Sequence, residues 1–268
     1  MMRSWLGVCA VAGSLLVLGP AAADERIVKL ASLEWPPYTG QALPDQGALA
    51  AIARAAFAAE GYRLQIDFYP WSRALFLAQK PNSEYAGYFP EYAAESLRAN
   101  YILSESLGSG PLGFAERKDA PVPWTRLDDL ATTTIGVVQN YINTDEFDAR
   151  SADGRLSVEA AATDAINLRK TANRRVTLAV IDQNVMAYLL THQPELADVR
   201  DELQFNARKL EDKQLYICFR KGPEGERLAR HFNAGLKKID AAAIAASHMP
   251  PLPSGDSSKQ VPGTSEIR

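Results

Sequence analysis

Three short aromatic clusters carry the most usable chemistry in this sequence. Trp35-Pro36-Pro37-Tyr38, Tyr69-Pro70-Trp71 and Tyr88-Phe89-Pro90 each join large rings to proline. Rings held in such turns can wall a pocket for a small organic ligand; their other use is to cover a sheet edge. Other chemistries lack their signatures. His192, His231 and His248 stand far apart, and no Cys or His pair has metal-ligand spacing. There is no G-x-S-x-G elbow, P-loop or G-x-G-x-x-G. The glycines between 108 and 113 lack the Lys-Ser/Thr of a phosphate loop. Neither a cofactor nor a catalytic metal is expected.

The elements that must position these clusters follow from periodicity. Residues 27–33 form an apolar run of strand formers, and 47–60 is Ala-rich with Ile52 and Phe57, a helix pattern stopped by Gly61. Leu64, Ile66 and Phe68 alternate along 63–69 as one face of a strand. This strand, helix, strand unit has the length of a parallel crossover. Ser72 is expected to cap a helix through Lys80, and 85–89 to be the next strand. The rhythm resumes with a β-branched run at 134–138, then Asn143 or Thr144 as the cap of a helix opening on Asp145 and Glu146. Thr163 and Asp164 open a helix through Ala172; 176–181 and 215–219 read as strands, 185–190 and 224–239 as helices. Such alternation predicts α/β architecture with mostly parallel sheets. Ligands of parallel sheets bind beyond the carboxyl ends of strands, which puts the three aromatic clusters on one rim. Gly108-Ser109-Gly110-Pro111 reads as a linker.

Composition bounds the partners. The chain has 268 residues, 29 Lys plus Arg against 32 Asp plus Glu, and a net charge of −3, without the basic footprint of a nucleic-acid binder. Arg3, the apolar stretch 6–18 and Ala21-Ala22-Ala23 read as a signal peptide over 1–23 with cleavage after Ala23, so a periplasmic location is expected. Later segments are too short and too charged to span a membrane. Cys9 lies within the signal, and Cys218, in an apolar run, is expected to be an inert buried thiol. Residues 250–268, rich in Pro, Gly and Ser, read as a disordered tail.

Several segments, in order, resemble the family 3 periplasmic solute-binding proteins of polar amino-acid ABC transporters. They are Leu33-Glu34-Trp35-Pro36-Pro37-Tyr38, Gly61-Tyr62 with Tyr69-Pro70-Trp71-Ser72-Arg73-Ala74, Ser96-Leu97-Arg98 with Tyr101-Ile102-Leu103-Ser104, Leu127-Asp128-Asp129-Leu130 with Ile135-Gly136-Val137-Val138-Gln139, and Ala179-Val180-Ile181-Asp182. The likeness runs from about Ile27 to Ile239. It implies a two-lobed type II fold with two mixed, mostly parallel sheets, a hinge and a ligand cleft between the lobes. Residues 24–110 and 210–249 would form one lobe and 111–209 the other. The implied partners are a small amino-acid-like or other polar solute and an inner-membrane ABC permease, and the implied state is a monomer.

The resemblance also implies residue roles. Arg98 would hold a ligand carboxylate with a two-pronged hydrogen-bond pair; a surface ion pair is its other reading. Asp182 would pair with an α-ammonium, or else cap the following helix. Trp35, Tyr38, Trp71 and Tyr88 would wall the pocket, the tryptophans offering cation–π contact. Gln139, Asn140 and Tyr141 precede a helix start, where backbone N–H groups favour an anion. The sequence departs from the pattern at Tyr88-Phe89-Pro90-Glu91-Tyr92 and at Asn140-Tyr141, bulky where the family is small. Glu91 would receive a second ligand amine or neutralise Arg98. Two further functions stand beside solute capture. One is a periplasmic dehydratase of cyclohexadienyl acids with Glu91 as general acid, and the other is a ligand-presenting sensory subunit.

Overall fold

The chain opens on a parallel crossover in the computed structural model, which describes residues 26–249. The signal-peptide reading of 1–23 and the tail reading of 250–268 lie outside the described residues. β1 (Arg26–Ser32) runs parallel to β2 (Tyr62–Phe68), with Arg26 opposite Tyr62 and Ser32 opposite Phe68. α1 (Ala48–Ala58) connects them, and its Ile52, Ala53, Ala56 and Phe57 recur at helical spacing and are fully buried. α2 (Trp71–Gln79) leads to β3 (Gly87–Tyr92), parallel to β1. β4 (Tyr101–Leu103) and β5 (Gly108–Arg117) follow. A second alternating run comprises β6 (Thr134–Val138), α3 (Asp145–Ala152), β7 (Ser157–Ala161), α4 (Asp164–Ala172), β8 (Leu178–Asp182) and α5 (Gln183–His192). β9 (Leu203–Phe205), β10 (Glu211–Arg220), α6 (Pro223–Leu236) and α7 (Ala241–His248) complete the described chain.

Strand order in space is β2-β1-β3-β10-β5-β8-β6-β7, with β4 on β10 and β9 on β5. Parallel pairs gather at the two ends, and the antiparallel pair β5 and β10 joins them. β5 pairs with β10 over Gly108 to Leu112 and with β8 over Leu112 to Ala115. β10 in turn passes from β5 to β3 at Leu215. Two long strands therefore cross between two half-sheets in a mixed α/β architecture; among the described residues four of nine strand pairings are parallel, where the sequence predicts mostly parallel sheets, because β5 and β10 add antiparallel pairs wherever they cross. One buried cluster runs through both halves. Phe57 lies 5.4 Å from Phe232 and 6.3 Å from Phe219, ring centre to ring centre. α6 approaches α1 so closely that a Cβ on Gly235 would stand 1.9 Å from the Ala56 carbonyl oxygen. In the other half Phe114, Phe147, Leu130 and Ile135 are fully buried.

Three local expectations are corrected. Residues 108–111 are no linker: they are the start of β5, paired with Asp212 to Leu215. Their small side chains reflect close passage beside Tyr38 and Asp182, where a Cβ on Gly110 would stand 2.0 Å from the Asp182 carboxylate. Ser72 caps no helix, because α2 already begins at Trp71 behind Pro70. β3 extends beyond the expected 85–89 through Tyr92, because a bulge opposite Ile217 absorbs the Phe89-Pro90 step. Proline has no N–H to give a ladder and is tolerated at such irregularities. The Ser32 hydroxyl donates to the Phe89 carbonyl there, at 2.8 Å.

Candidate functional site

The carboxyl ends of β1, β3, β6 and β8 converge where β5 and β10 cross, and the aromatic residues meet there. Trp35 and Tyr38 occupy the turn after β1, closed by the Trp35 N–H donating to the Thr39 carbonyl at 2.8 Å. Their rings stack at 4.7 Å. Trp71 begins α2 and lies edge-on to Tyr88 of β3 at 5.4 Å and to Tyr141, beyond β6, at 6.0 Å. Glu91 and Tyr92 close β3, and both are buried. Asp182 ends β8 and caps α5, accepting from Asn184 N–H at 2.8 Å and Val185 N–H at 3.2 Å.

Contacts between the halves hold this cluster shut. The Tyr38 hydroxyl donates to the Asp182 carboxylate, 3.1 Å from both oxygens, and accepts from the Asn184 amide at 2.7 Å. The Trp71 indole N–H donates to the Asn140 carbonyl at 3.0 Å, and the Asn140 amide donates to Ser72 Oγ at 2.8 Å. Left-handed Asn140, at φ 64°, aims both groups across. What remains between Leu33, Trp35, Trp71, Pro90, Glu91, Tyr92, Tyr141, Ile142 and Leu215 is a cavity of about 20 Å³, room for roughly one water. A larger guest requires the halves to part.

Burial dominates the electrostatics. The Glu91 carboxyl is pushed up to about 8 by desolvation, against the Tyr92 N–H at 2.9 Å, the Tyr88 hydroxyl at 3.4 Å and the charge of Lys213. Asp182 rises to about 7 for the same reason, against its two capping N–H groups and Tyr38. Asp164, at the first turn of α4, also rises to about 7 by burial, against the Tyr141 hydroxyl at 3.3 Å and the nearby Trp35 indole. The Tyr38 and Tyr88 phenols are raised by burial and then by Asp182 and Glu91 respectively, so they stay protonated donors. Near neutral pH Glu91 therefore keeps its proton for the most part, while Asp164 and Asp182 stand near half-ionisation and can give up their protons to a base or exchange them for a cation.

Trp35, Tyr38, Trp71, Tyr88, Glu91, Tyr141 and Asp182 are thus brought together, and Asp182 is both helix cap and cleft residue. Arg98 and Gln139 are not. Arg98 lies in the single turn Glu95–Ala99 on the surface, its side chain 65% exposed and paired with Glu95 at 3.2 Å. In this arrangement it does not neutralise Glu91. Gln139 is exposed, and its N–H is already donated to the Ala161 carbonyl, as is the Tyr141 N–H to Val138. The helix start beyond them is filled by its own acids: Asp148 accepts from Asn143, and Asp145 and Glu146 occupy the first turn.

Sequence reasoning misses four residues of the site. Tyr92 stands edge-on to Trp35 at 6.0 Å, with its hydroxyl 3.5 Å from Asp182. Asp164 reads in the sequence only as a helix opener, and Asn184 only as part of a helix. Lys213 sits buried on β10, its ammonium 5.6 Å from the Tyr92 ring centre and 3.7 Å from Glu211. Alternation along β10 places Lys213 on the face of Leu215, a wall of the cavity, and is the available signal.

No protein-family model matches the chain, and no curated protein matches it. Solved structures do. A histidine kinase sensor domain with similarity to periplasmic binding proteins superposes with a TM-score of 0.70 at 19% identity, covering 84% of this chain and 96% of that one. An ancestral arginine-binding protein bound to arginine gives 0.67 at 14% identity, over 84% and 98%. An ancestral amino-acid-binding protein, a precursor of cyclohexadienyl dehydratase, gives 0.65 at 14% identity, over 84% and 96%. The chain has the two-lobed periplasmic-binding-protein-like fold that the sequence resemblance implied.

Proposed function

We propose that this chain is a periplasmic solute-binding protein that closes two lobes around a small polar ligand and delivers it to an inner-membrane ABC permease. Residues 24–110 with 210–249 form one lobe in this reading and 111–209 the other, hinged at β5 and β10. The supporting observation is the Tyr38–Asp182 contact, which joins the halves at a buried site furnished with aromatic and acidic side chains. Closure of lobes about a hinge is the motion by which periplasmic binding proteins take their ligands.

The test is thermal unfolding of residues 24–249 against amino acids, di- and polyamines, aromatic acids and small peptides. Ligand at ~100 times its dissociation constant adds about 2.7 kcal/mol, and raises the midpoint of a chain this size by roughly 5–11 °C. A shift with one chemical class supports the proposal, and a flat response to all overturns it. Loss of uptake of that compound on gene deletion supports delivery to a permease. The likeness to a kinase sensor domain favours a second outcome, in which uptake persists and a transcriptional response is lost. Glu91 also keeps the dehydratase reading in view, since a carboxyl protonated near neutral pH beside a cavity suits a general acid; product formation from prephenate or arogenate is its assay.

A further inference from the structure

We propose that the ligand is an organic cation without a carboxylate: an alkyl amine, a diamine or a quaternary ammonium. The inference rests on the solute-binding reading and narrows it.

Among the described residues, three carboxyls, Glu91, Asp164 and Asp182, are buried at the cleft, against the one ammonium of Lys213. That ammonium lies over the Tyr92 ring and 3.7 Å from Glu211, and its charge also reaches Glu91. Hydrogen bonding is just as uneven. A carboxylate offers about four acceptor positions, yet Asp164 receives one long side-chain hydrogen bond, 3.3 Å from Tyr141. Glu91 receives its own neighbour's N–H and a 3.4 Å contact from Tyr88. Asp164 and Glu91 are therefore short of donors, and a primary ammonium brings three donors and no acceptor; a quaternary ammonium is held by charge and by the ring faces instead. A ligand carboxylate would bring acceptors and no donor.

The walls agree. Trp35, Trp71, Tyr92 and Tyr141 present rings on several sides of the cavity, and desolvated cations are held by such faces. Among the described residues no arginine lines the cavity: Arg98 is on the surface, and the Gln139 and Tyr141 amides after β6 are already donated.

The test is calorimetric titration of the mature chain with matched pairs that differ by a carboxylate: agmatine against arginine, cadaverine against lysine, choline against betaine. The expected result is that an amine or ammonium lacking the carboxylate binds at least tenfold tighter than its partner. Glu91→Gln and Asp164→Asn should each weaken that binding at least tenfold with circular dichroism unchanged. A variant that fails to fold leaves the matched pairs on the natural sequence to decide. Arginine, lysine or betaine binding as well as its partner overturns the cation assignment and leaves solute binding standing. So does a thermal shift confined to another class of compound. No binding by any compound of either experiment overturns both.

Discussion

Replacing Glu91 by glutamine tests whether the cleft is as dry as its geometry requires. Glu91 binds its proton more tightly in the folded chain, where it titrates at about 8, than at its ordinary 4.5. Its contribution to stability is therefore full below pH 4.5 and is lost as pH rises to about 8. Ionising such a carboxyl in place costs about 5 kcal/mol over that window, or ~1.4 kcal/mol per pH unit. The amide of the Glu91→Gln variant has nothing to titrate. The neighbouring Asp148, Asp164, Asp182, Tyr88, Tyr141 and Lys213 are common to both proteins and largely cancel in the comparison. Urea unfolding at several pH values should show the variant gaining ~3.5 kcal/mol on the natural sequence between about pH 5 and 8. In thermal midpoint this is roughly 7–14 °C. A difference that changes by less than ~1 kcal/mol across that range refutes the reasoning, because it means that water reaches Glu91 and the closed aromatic cluster does not exclude it.

Gly110→Ala places a Cβ 2.0 Å from Asp182 Oδ2 and 2.2 Å from the Tyr38 hydroxyl, so it should wedge the halves apart. Solution scattering should give a larger radius of gyration and urea unfolding a loss of about 1–3 kcal/mol; an unchanged scattering curve contradicts the contact. Arg98→Ala should change stability by less than about 0.5 kcal/mol and leave the affinity of any ligand found by calorimetry unaltered. Thr144→Ala removes the hydroxyl that accepts from the Phe147 N–H at 3.1 Å, and should cost about 1 kcal/mol by thermal unfolding.

The helical and strand periods made most of the scaffold legible, because Ile52, Ala53, Ala56 and Phe57 or Leu64 and Ile66 repeat the pattern that burial imposes. Thr144 and Thr163 cap α3 and α4 as their positions suggest. Glycine and proline mislead at β5 and at β3. Gly108 to Pro111 looks like a break, yet its small residues are what lets β5 pass Asp182. Pro90 looks like a strand end, yet a bulge accommodates it. α7 has no counterpart among the sequence expectations, although Asp240 caps it through the Ala243 N–H at 2.9 Å. At the site, aromatic type and position carry the signal, since rings at strand ends have few other places to go. Arg98 lies outside the cluster because its short turn faces solvent, which position within a motif does not reveal. Asp164 is hidden by an ordinary role: the same carboxyl that opens a helix becomes a site residue through the packing of Trp35 and Tyr141, both remote in sequence.

The crossing strands also impose an order of assembly. β5, β6, β7 and β8 are all complete by Asp182, and Leu112 pairs with that residue, so one half-sheet closes as soon as its segment is made. β3, made earlier, waits for its neighbour, since Gly87 pairs with Phe219 and Tyr92 with Leu215. In the interval its edge offers open N–H and C=O groups, a template for pairing with other chains. Long-range pairing of this kind is slow. The part of the protein synthesised first is thus the part finished last, and the arrival of β10 is the step at which a nascent chain stops needing protection from its neighbours.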